Sequence, residues 1–232
     1  MQVDRIKLSE TNLGKGVYSL AEAAQYTQLP YRRVWSWFRP NCGNGTCNFL
    51  DVEYDRSENR LAISFYDLID VLVAGQFRKR GLSLQCIRAA YDRLKDEFDT
   101  SHPFCRNELF TDGKNVFAKV ANELHDEILF EVISRQNFFL KVMLPHLRKI
   151  EYDVGTSLAS RWAIAPGVIV DPRVAMGKPV LRETGKTTWV IANAYYANNK
   201  NADIVADAFG IETEDVLSAV EFEGRKRNLK AA

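Results

Sequence analysis

The sequence contains no apolar run near the roughly 18 residues that a transmembrane helix requires. It also lacks the start of a secretory signal peptide, because Asp4, Arg5 and Lys7 are followed by polar sequence. The formal net charge is only +1, so any strongly basic surface must come from local clustering. These absences predict a cytoplasmic protein without a membrane partner, and 232 residues allow two domains with separate cores.

Residues typical of catalytic centres are also scarce. The three histidines, His102, His125 and His146, lie far apart in dissimilar contexts. There is no phosphate-binding glycine loop, no nucleophile elbow and no paired histidine at metal-ligand spacing. We therefore expect a protein that is not an enzyme and that needs no cofactor.

The four cysteines raise the question of a metal site. Cys42 and Cys47 lie in a Gly/Asn-rich stretch and could supply two zinc ligands, with His102 and Cys105 completing the set. The usual zinc-knuckle spacing is tighter, and isolated cysteines in a reducing compartment are more often inert. We expect no bound metal.

The segment Tyr18–Pro40 has the pattern of a helix-turn-helix, whose second helix reads the DNA major groove. Ser19 and Glu22 have capping-box spacing, and Pro30 favours the start of a second helix at about Tyr31. Two short helices also occur in proteins that do not bind DNA, where the tryptophans would belong to the core. On the DNA-binding interpretation, the contact residues are Tyr31, Arg32, Arg33, Trp35, Ser36 and Arg39.

The next segment predicts a wing followed by two helices. Residues from Phe49 to Phe65 alternate in period two on either side of a polar turn, which predicts a hairpin. Ser64 is a cap signal for a helix from Tyr66 to about Gly75, and an amphipathic helix then runs to roughly Phe98.

Positive charge is concentrated after this wing. Six basic residues lie between Gln76 and Lys95 against one acid, Asp92. Such a cluster suits a phosphate backbone. We predict DNA contacts from Arg78, Lys79 and Arg80.

The order of these features resembles the DNA-binding region of MerR-type regulators. The resemblance depends on YSLAEAA, the short second helix, the wing and FYDLIDVLVAGQFRKRGLSLQCIRAAYDRL. It implies a winged helix-turn-helix. The wing is lengthened by an insert at residues 41–47, and no effector-binding cysteines follow the long helix, so a metal- or drug-sensing role does not carry over.

The C-terminal part is similar to a small domain of unknown function found in many bacterial antitoxins. The matching features are the apolar strand from Val168, an Asp-Pro turn, the phrase Gly-Lys-Pro-Val and three short helices. We predict these helices at 189–196, 202–209 and 214–222, with Asn201 and Thr213 as caps and Gly210 as a stop. Residues 182–187 replace the Thr-Arg pair usual in such domains.

The whole chain resembles one family of VapB-type antitoxins. The resemblance implies binding to operator DNA and neutralisation of a PIN-domain ribonuclease toxin. The alternative is a MerR-like transcriptional regulator without a toxin partner. Six acids and no basic residue between Asp207 and Glu223 argue against DNA binding by the tail. The basic end, predicted to be unstructured, supplies the candidate toxin contacts Arg225, Lys226 and Arg227, and a solvated tail is the other interpretation.

The predicted fold is mainly α with small β hairpins, a MerR-like winged helix-turn-helix and a small C-terminal three-helix domain. Residues 1–98 form the DNA-binding domain, 99–160 a connecting hairpin and helical dimerisation region, and 161–232 the antitoxin-like domain with its basic tail. The connecting hairpin is predicted at 108–120, and a linker at 151–166. Part of the very apolar stretch 121–150 is interpreted as the interface of a homodimer, which suits a palindromic operator, and a plain core is the other interpretation.

Overall fold

A computed structural model describes residues 14–38, 49–50, 61–110 and 147–231, together with residues 115, 117, 120, 123 and 145. Within this described part the chain is mostly helical, with seven α-helices whose bounds are described and two small antiparallel sheets. The prediction of a mainly α protein with small β elements is confirmed. The chain divides into two compact units, residues 18–160 and residues 161–232 together with 1–17.

The unit 18–160 begins with strand β1 (Tyr18–Ser19), helix α1 (Leu20–Thr27) and helix α2 (Tyr31–Phe38). The predicted capping box is present, because the Ser19 backbone N–H donates to Glu22 Oε2 at 2.9 Å and the Glu22 N–H donates to Ser19 Oγ at 3.2 Å. Helix α1 ends at Gln28, which adopts the left-handed conformation with φ 54°. Pro30 then precedes α2, which begins at Tyr31 as predicted.

Strand β2 (Ala62–Ile63) pairs antiparallel with β1, so that Tyr18 lies opposite Ile63. Residues 51–60 of the predicted wing hairpin lie outside the described residues. Directly after β2, Ser64 and Asp67 form a second capping box at the start of helix α3 (Phe65–Lys79). This helix continues past its predicted end at Gly75, and helix α4 (Leu84–Phe98) follows.

The predicted hairpin at 108–120 is wrong. Residues Asn107–Phe110 form a 3₁₀ turn, as do Pro103–Cys105, and the described residues 115, 117, 120 and 123 are helical. Phe117 and Val120 are both buried, and their spacing of three places them on one helical face. Most of the predicted dimerisation stretch 121–150 lies outside the described residues.

The predicted linker at 151–166 is also wrong, because these residues contribute two strands. Strand β3 is Ile150–Tyr152 and strand β4 is Ala159–Ala165. Strand β4 pairs antiparallel with β5 (Val168–Val170), which pairs with β6 (Val180–Leu181). Trp162 lies opposite Val170 and is buried, so burial of this apolar side chain favours the pairing of β4 with β5.

Three helices complete the C-terminal unit: α5 (Thr188–Ala197), α6 (Ala202–Phe209) and α7 (Thr213–Ala231). Asn201 caps α6 and Gly210 ends it with φ 61°, as predicted. Thr213 is the first residue of α7 instead of its cap, and its hydroxyl donates to Asp203 Oδ1 at 3.0 Å. The three helices and β6 enclose a core of Leu181, Ile191, Val205, Ala206, Val216 and Ala219.

The predicted unstructured tail is wrong, because α7 continues to Ala231. Arg225 pairs with Glu221 one turn earlier, a spacing that supports a helix. Among the described residues no helix is both long enough and apolar enough to cross a bilayer.

The core of the unit 18–160 contains a continuous series of aromatic contacts. Phe49 packs edge-on against Trp37 and Tyr91, with ring centroids 5.7 and 5.6 Å apart. Phe104 lies 5.0 Å from Tyr91 and 5.8 Å from Phe77. These rings connect α2, α3, α4 and the segment after α4. Through Trp37 they pack against the buried face of α2.

Candidate nucleic-acid interface

Helix α2 has one buried face and one exposed face. Val34, Trp37 and Phe38 are buried. Five of the predicted DNA contacts lie on the opposite, exposed face, where Tyr31 is 52% and Trp35 40% exposed: Tyr31, Arg32, Arg33, Trp35 and Ser36. The sequence therefore places guanidinium groups and aromatic rings together on the solvent side of a short helix. Arg39 lies outside the described residues.

The Lys79 side chain links the end of α3 to the turn between α1 and α2. Thr27 is the last residue of α1, and the Lys79 Nζ donates to its carbonyl oxygen at 3.3 Å. Partial burial, and then the nearby Arg33 guanidinium, lower the pKa of Lys79. Lys79 and Arg33 are both exposed, and their two positive charges lie near each other, so together they form a cationic surface.

The other two predicted basic contacts differ from each other. The Arg78 guanidinium donates to the carbonyl of Leu82, which closes the turn between α3 and α4. Arg80, at the end of α3, is exposed. Arg78 thus has a structural contact within its own turn, whereas Arg80 presents its charge to solvent.

A buried polar cluster between α3, α4 and the segment after α4 was not predicted. We define the Asp70 cluster as Asp70, Tyr91, His102 and Cys105. Asp70 is 1% exposed, and its Oδ2 lies 2.8 Å from the Tyr91 hydroxyl and 2.8 Å from His102 Nδ1. Cys105 Sγ lies 3.8 Å from Asp70 Oδ1 and 3.2 Å from the carbonyl oxygen of Tyr66. His102 and Cys105, considered above as zinc ligands, are therefore engaged with α3.

A second buried carboxylate lies one helical turn from Asp70. Asp67 Oδ1 is 4.0 Å from His102 Nδ1, while its Oδ2 accepts from the Ser64 backbone N–H at 2.8 Å. Burial raises the pKa of Asp67 to about 6 against the opposing effect of His102. Burial also raises the pKa of Asp70, again against His102. Among the described residues, no group of three or more His, Cys, Asp or Glu side chains could hold a metal ion.

The C-terminal unit contains a buried carboxylate of the opposite character. Asp171, 1% exposed, accepts from Arg161 Nε at 2.8 Å and from Arg173 Nε and Nη2, both at 3.0 Å. Burial alone would raise the pKa of Asp171, but these hydrogen bonds hold it below its ordinary value. Asp171 begins the Asp-Pro turn, and it fastens β4 to that turn.

The three predicted toxin contacts lie on α7. Arg225 is exposed and pairs with Glu221. Residues 226 and 227 belong to the same helix, but their side chains lie outside the described part. The buried Glu223 carboxylate accepts from the Thr188 hydroxyl at 2.6 Å, which ties α7 to the start of α5.

Comparison with known proteins gives two findings. A family described as "Protein of unknown function (DUF433)" matches residues 168–222, the segment from β5 into α7. The chain is similar in structure to a crystal structure of Rv2018 from Mycobacterium tuberculosis, with a TM-score of 0.71 and 22% sequence identity. That alignment covers 88% of this chain and 96% of the other. No curated protein matches the sequence. At this identity the structural likeness shows a shared fold and no more.

Proposed function

We propose that this protein is the antitoxin of a type II toxin–antitoxin pair. On this proposal the N-terminal head is a MerR-like helix-turn-helix that represses its own operon. The remainder of the chain binds and neutralises a PIN-type ribonuclease in the cytoplasm. The observation that carries the proposal is the exposed face of α2, which combines two arginines with Tyr31 and Trp35.

Geometry supports DNA binding by this face. Guanidinium groups donate to phosphate oxygens and to base edges, and aromatic side chains add apolar contact. The buried side of α2 packs into the aromatic core, so the exposed side chains project from a rigid support. Lys79 extends the cationic surface from the end of α3 to the turn before α2.

The C-terminal unit supports the antitoxin half of the proposal. Its match to DUF433 is relevant because this domain is frequent in antitoxin-like proteins. Five of the six acids between Asp207 and Glu223 remain at least partly accessible, and Glu223 is buried against Thr188. Such a surface repels DNA phosphates, so a protein partner suits it better.

The DNA-binding half is tested with the protein and a labelled fragment of its own promoter. Anisotropy titrations at 50–300 mM salt measure affinity and its salt dependence. Removing one phosphate contact reduces the slope of log K against log salt by about 0.9. We expect Arg33→Ala to weaken binding and to reduce this slope, whereas Arg182→Ala, an exposed arginine of the other unit, leaves both unchanged. Equal behaviour of the two variants would remove α2 from the interface.

The antitoxin half is tested by co-expression with the product of the adjacent open reading frame. Co-purification with a small nuclease, and loss of its ribonuclease activity in the complex, are the expected results. Truncation after Glu223 removes the three candidate contacts but retains the Thr188–Glu223 hydrogen bond. Full neutralisation by the truncated chain would exclude these contacts. A homodimer that binds the promoter but captures no nuclease would support the regulator alternative.

A further inference from the structure

The Asp70 cluster joins three parts of the unit 18–160. Asp70 comes from α3, Tyr91 from α4, and His102 and Cys105 from the segment that follows α4. Because the side chains are buried, the segment Asp99–Arg106 cannot leave α3 without exposing Asp70 and breaking its contacts with His102 and Cys105. Undocking of this segment would therefore break these polar contacts together with the packing of Phe104 on Tyr91 and Phe77.

The hydrogen-bond geometry leaves room for one additional proton. The Tyr91 hydroxyl carries a single proton but faces two acceptors, Asp70 Oδ2 at 2.8 Å and the Ser101 carbonyl oxygen at 2.9 Å. With a protonated Asp70, the carboxyl group donates to the Tyr91 oxygen and the hydroxyl donates to Ser101. Every oxygen of this chain of contacts then has a partner.

The charge count leads to the same conclusion. Asp67 and Asp70 are both buried, and one imidazole, His102, faces them. If both carboxylates are ionised and the imidazole is protonated, the buried group keeps a net charge of −1. One proton shared by the two carboxylates makes it neutral, which burial favours.

We propose that the Asp70 cluster is a proton-linked clasp, which holds the segment Asp99–Arg106 on α3 in mild acid and loosens as the pH rises to neutral. The direction follows from linkage: the closed form binds a proton that the open, solvated form releases. Burial raises the pKa of both carboxylates, in agreement with the hydrogen-bond and charge arguments. The inference concerns this unit alone and does not depend on DNA or toxin binding.

The titratable groups around the clasp come from four elements. Asp67, Asp70 and Tyr66 face it from α3, where the Tyr66 ring centroid lies 5.5 Å from that of His102, and Tyr91 faces it from α4. His102 and Cys105 belong to the docked segment, and Tyr152 of β3 lies close enough to Cys105 for the thiol to influence its pKa. Burial raises the pKa values of Tyr91 and Tyr152, so that neither hydroxyl ionises between pH 5 and pH 8. Among the groups named here, the two carboxylates are therefore those on whose protonation the clasp depends.

The test is amide hydrogen exchange of the full chain at pH 5, 6, 7 and 8, corrected for the intrinsic exchange rate. The informative amides are Cys105 and Arg106, which donate to the carbonyls of His102 and Pro103. Because the closed form keeps one proton that the open form releases, we expect protection to fall between pH 5 and pH 7, by at most about tenfold per pH unit. Protection that does not change with pH would overturn the proposal.

Three variants separate proton linkage from simple packing. His102→Asn keeps a donor near the Nδ1 position but removes the positive charge, so the loss of protection should move to higher pH. Tyr91→Phe keeps the ring but removes the hydroxyl, and it should lower protection at pH 7. This variant still tests the proposal if His102→Asn fails to fold. Asp96→Asn changes an exposed carboxylate of α4 and should leave the profile unchanged. A profile that keeps its midpoint in His102→Asn would show that the histidine has only a packing role.

Discussion

Replacement of Asp67 by Asn should stabilise the protein, and more so as the pH rises. Asp67 is 1% exposed, and burial raises its pKa from 3.8 to about 6. The folded state therefore binds the proton more tightly than the unfolded chain. Ionisation of Asp67 therefore lowers the free energy of unfolding. The loss is small below pH 4, grows as the pH rises from 4 to 6 and is nearly constant above pH 6.

The pKa difference sets the size of the effect. One pKa unit corresponds to 1.36 kcal/mol, so the penalty is about 1.6 kcal/mol at pH 5 and about 3 kcal/mol at pH 8. Asn cannot ionise but retains an oxygen that accepts the Ser64 backbone N–H, so the α3 cap survives. Asp67→Asn should therefore recover most of this free energy.

Urea unfolding at pH 5, 6, 7 and 8, followed by tryptophan fluorescence and circular dichroism, measures the difference between wild type and variant. Asp96→Asn serves as the control, because its carboxylate is exposed and its replacement should change stability by less than about 0.5 kcal/mol at every pH. A stability difference for Asp67→Asn that does not grow with pH, or a loss of stability at pH 8, would refute the reasoning.

Other substitutions test the packing and capping. Gly75→Ala places a methyl group 2.6 Å from Leu29 Cδ1 and should lower the free energy of unfolding by about 1–3 kcal/mol, as measured in urea. Gly224→Ala, which has nothing within 4 Å, should be neutral or stabilise by up to about 1 kcal/mol, and similar losses at both sites would contradict the packing argument. Ser19→Ala removes the α1 capping box and should cost about 1 kcal/mol in thermal unfolding. Asp171→Asn should cost about 1–3 kcal/mol at pH 7 by weakening the bonds to its two arginines. Because the folded pKa of this aspartate is depressed, the difference should shrink as the pH falls towards 3, and a constant difference would exclude its ionisation as the cause.

The helix starts could be predicted because their signals are local. The Ser19–Glu22 and Ser64–Asp67 pairs are three residues apart, and each satisfies backbone donors of its own first turn. The two faces of α2 were likewise encoded in the spacing of Val34, Trp37 and Phe38. The spacing of residues along the sequence was sufficient to predict an interaction wherever its two partners lie within one or two helical turns of each other.

The Asp70 cluster could not be predicted in the same way. Its partners Asp70 and His102 are 32 residues apart, and nothing in the sequence near either residue identifies the other. Asp70 lies in an apolar helix, where its need for a partner was the available signal. Strand β4 was missed for a similar reason: its stability depends on β5 across a turn, whereas its own residues are mixed in polarity.

The strand pair at the start of the head has a consequence for how the chain tolerates change. Strands β1 and β2 pair with each other, and each leads directly into a capped helix, α1 at Ser19 and α3 at Ser64. The origins of these two helices are therefore fixed by hydrogen bonds across the ladder, independently of the length of chain between α2 and β2. Doubling the length of such a loop costs only about 0.6 kcal/mol in closure entropy. Phe49 and Leu50 lie in this interval and are buried, so a change of length there is tolerated only where it leaves the packing of Phe49 on Trp37 and Tyr91 in place.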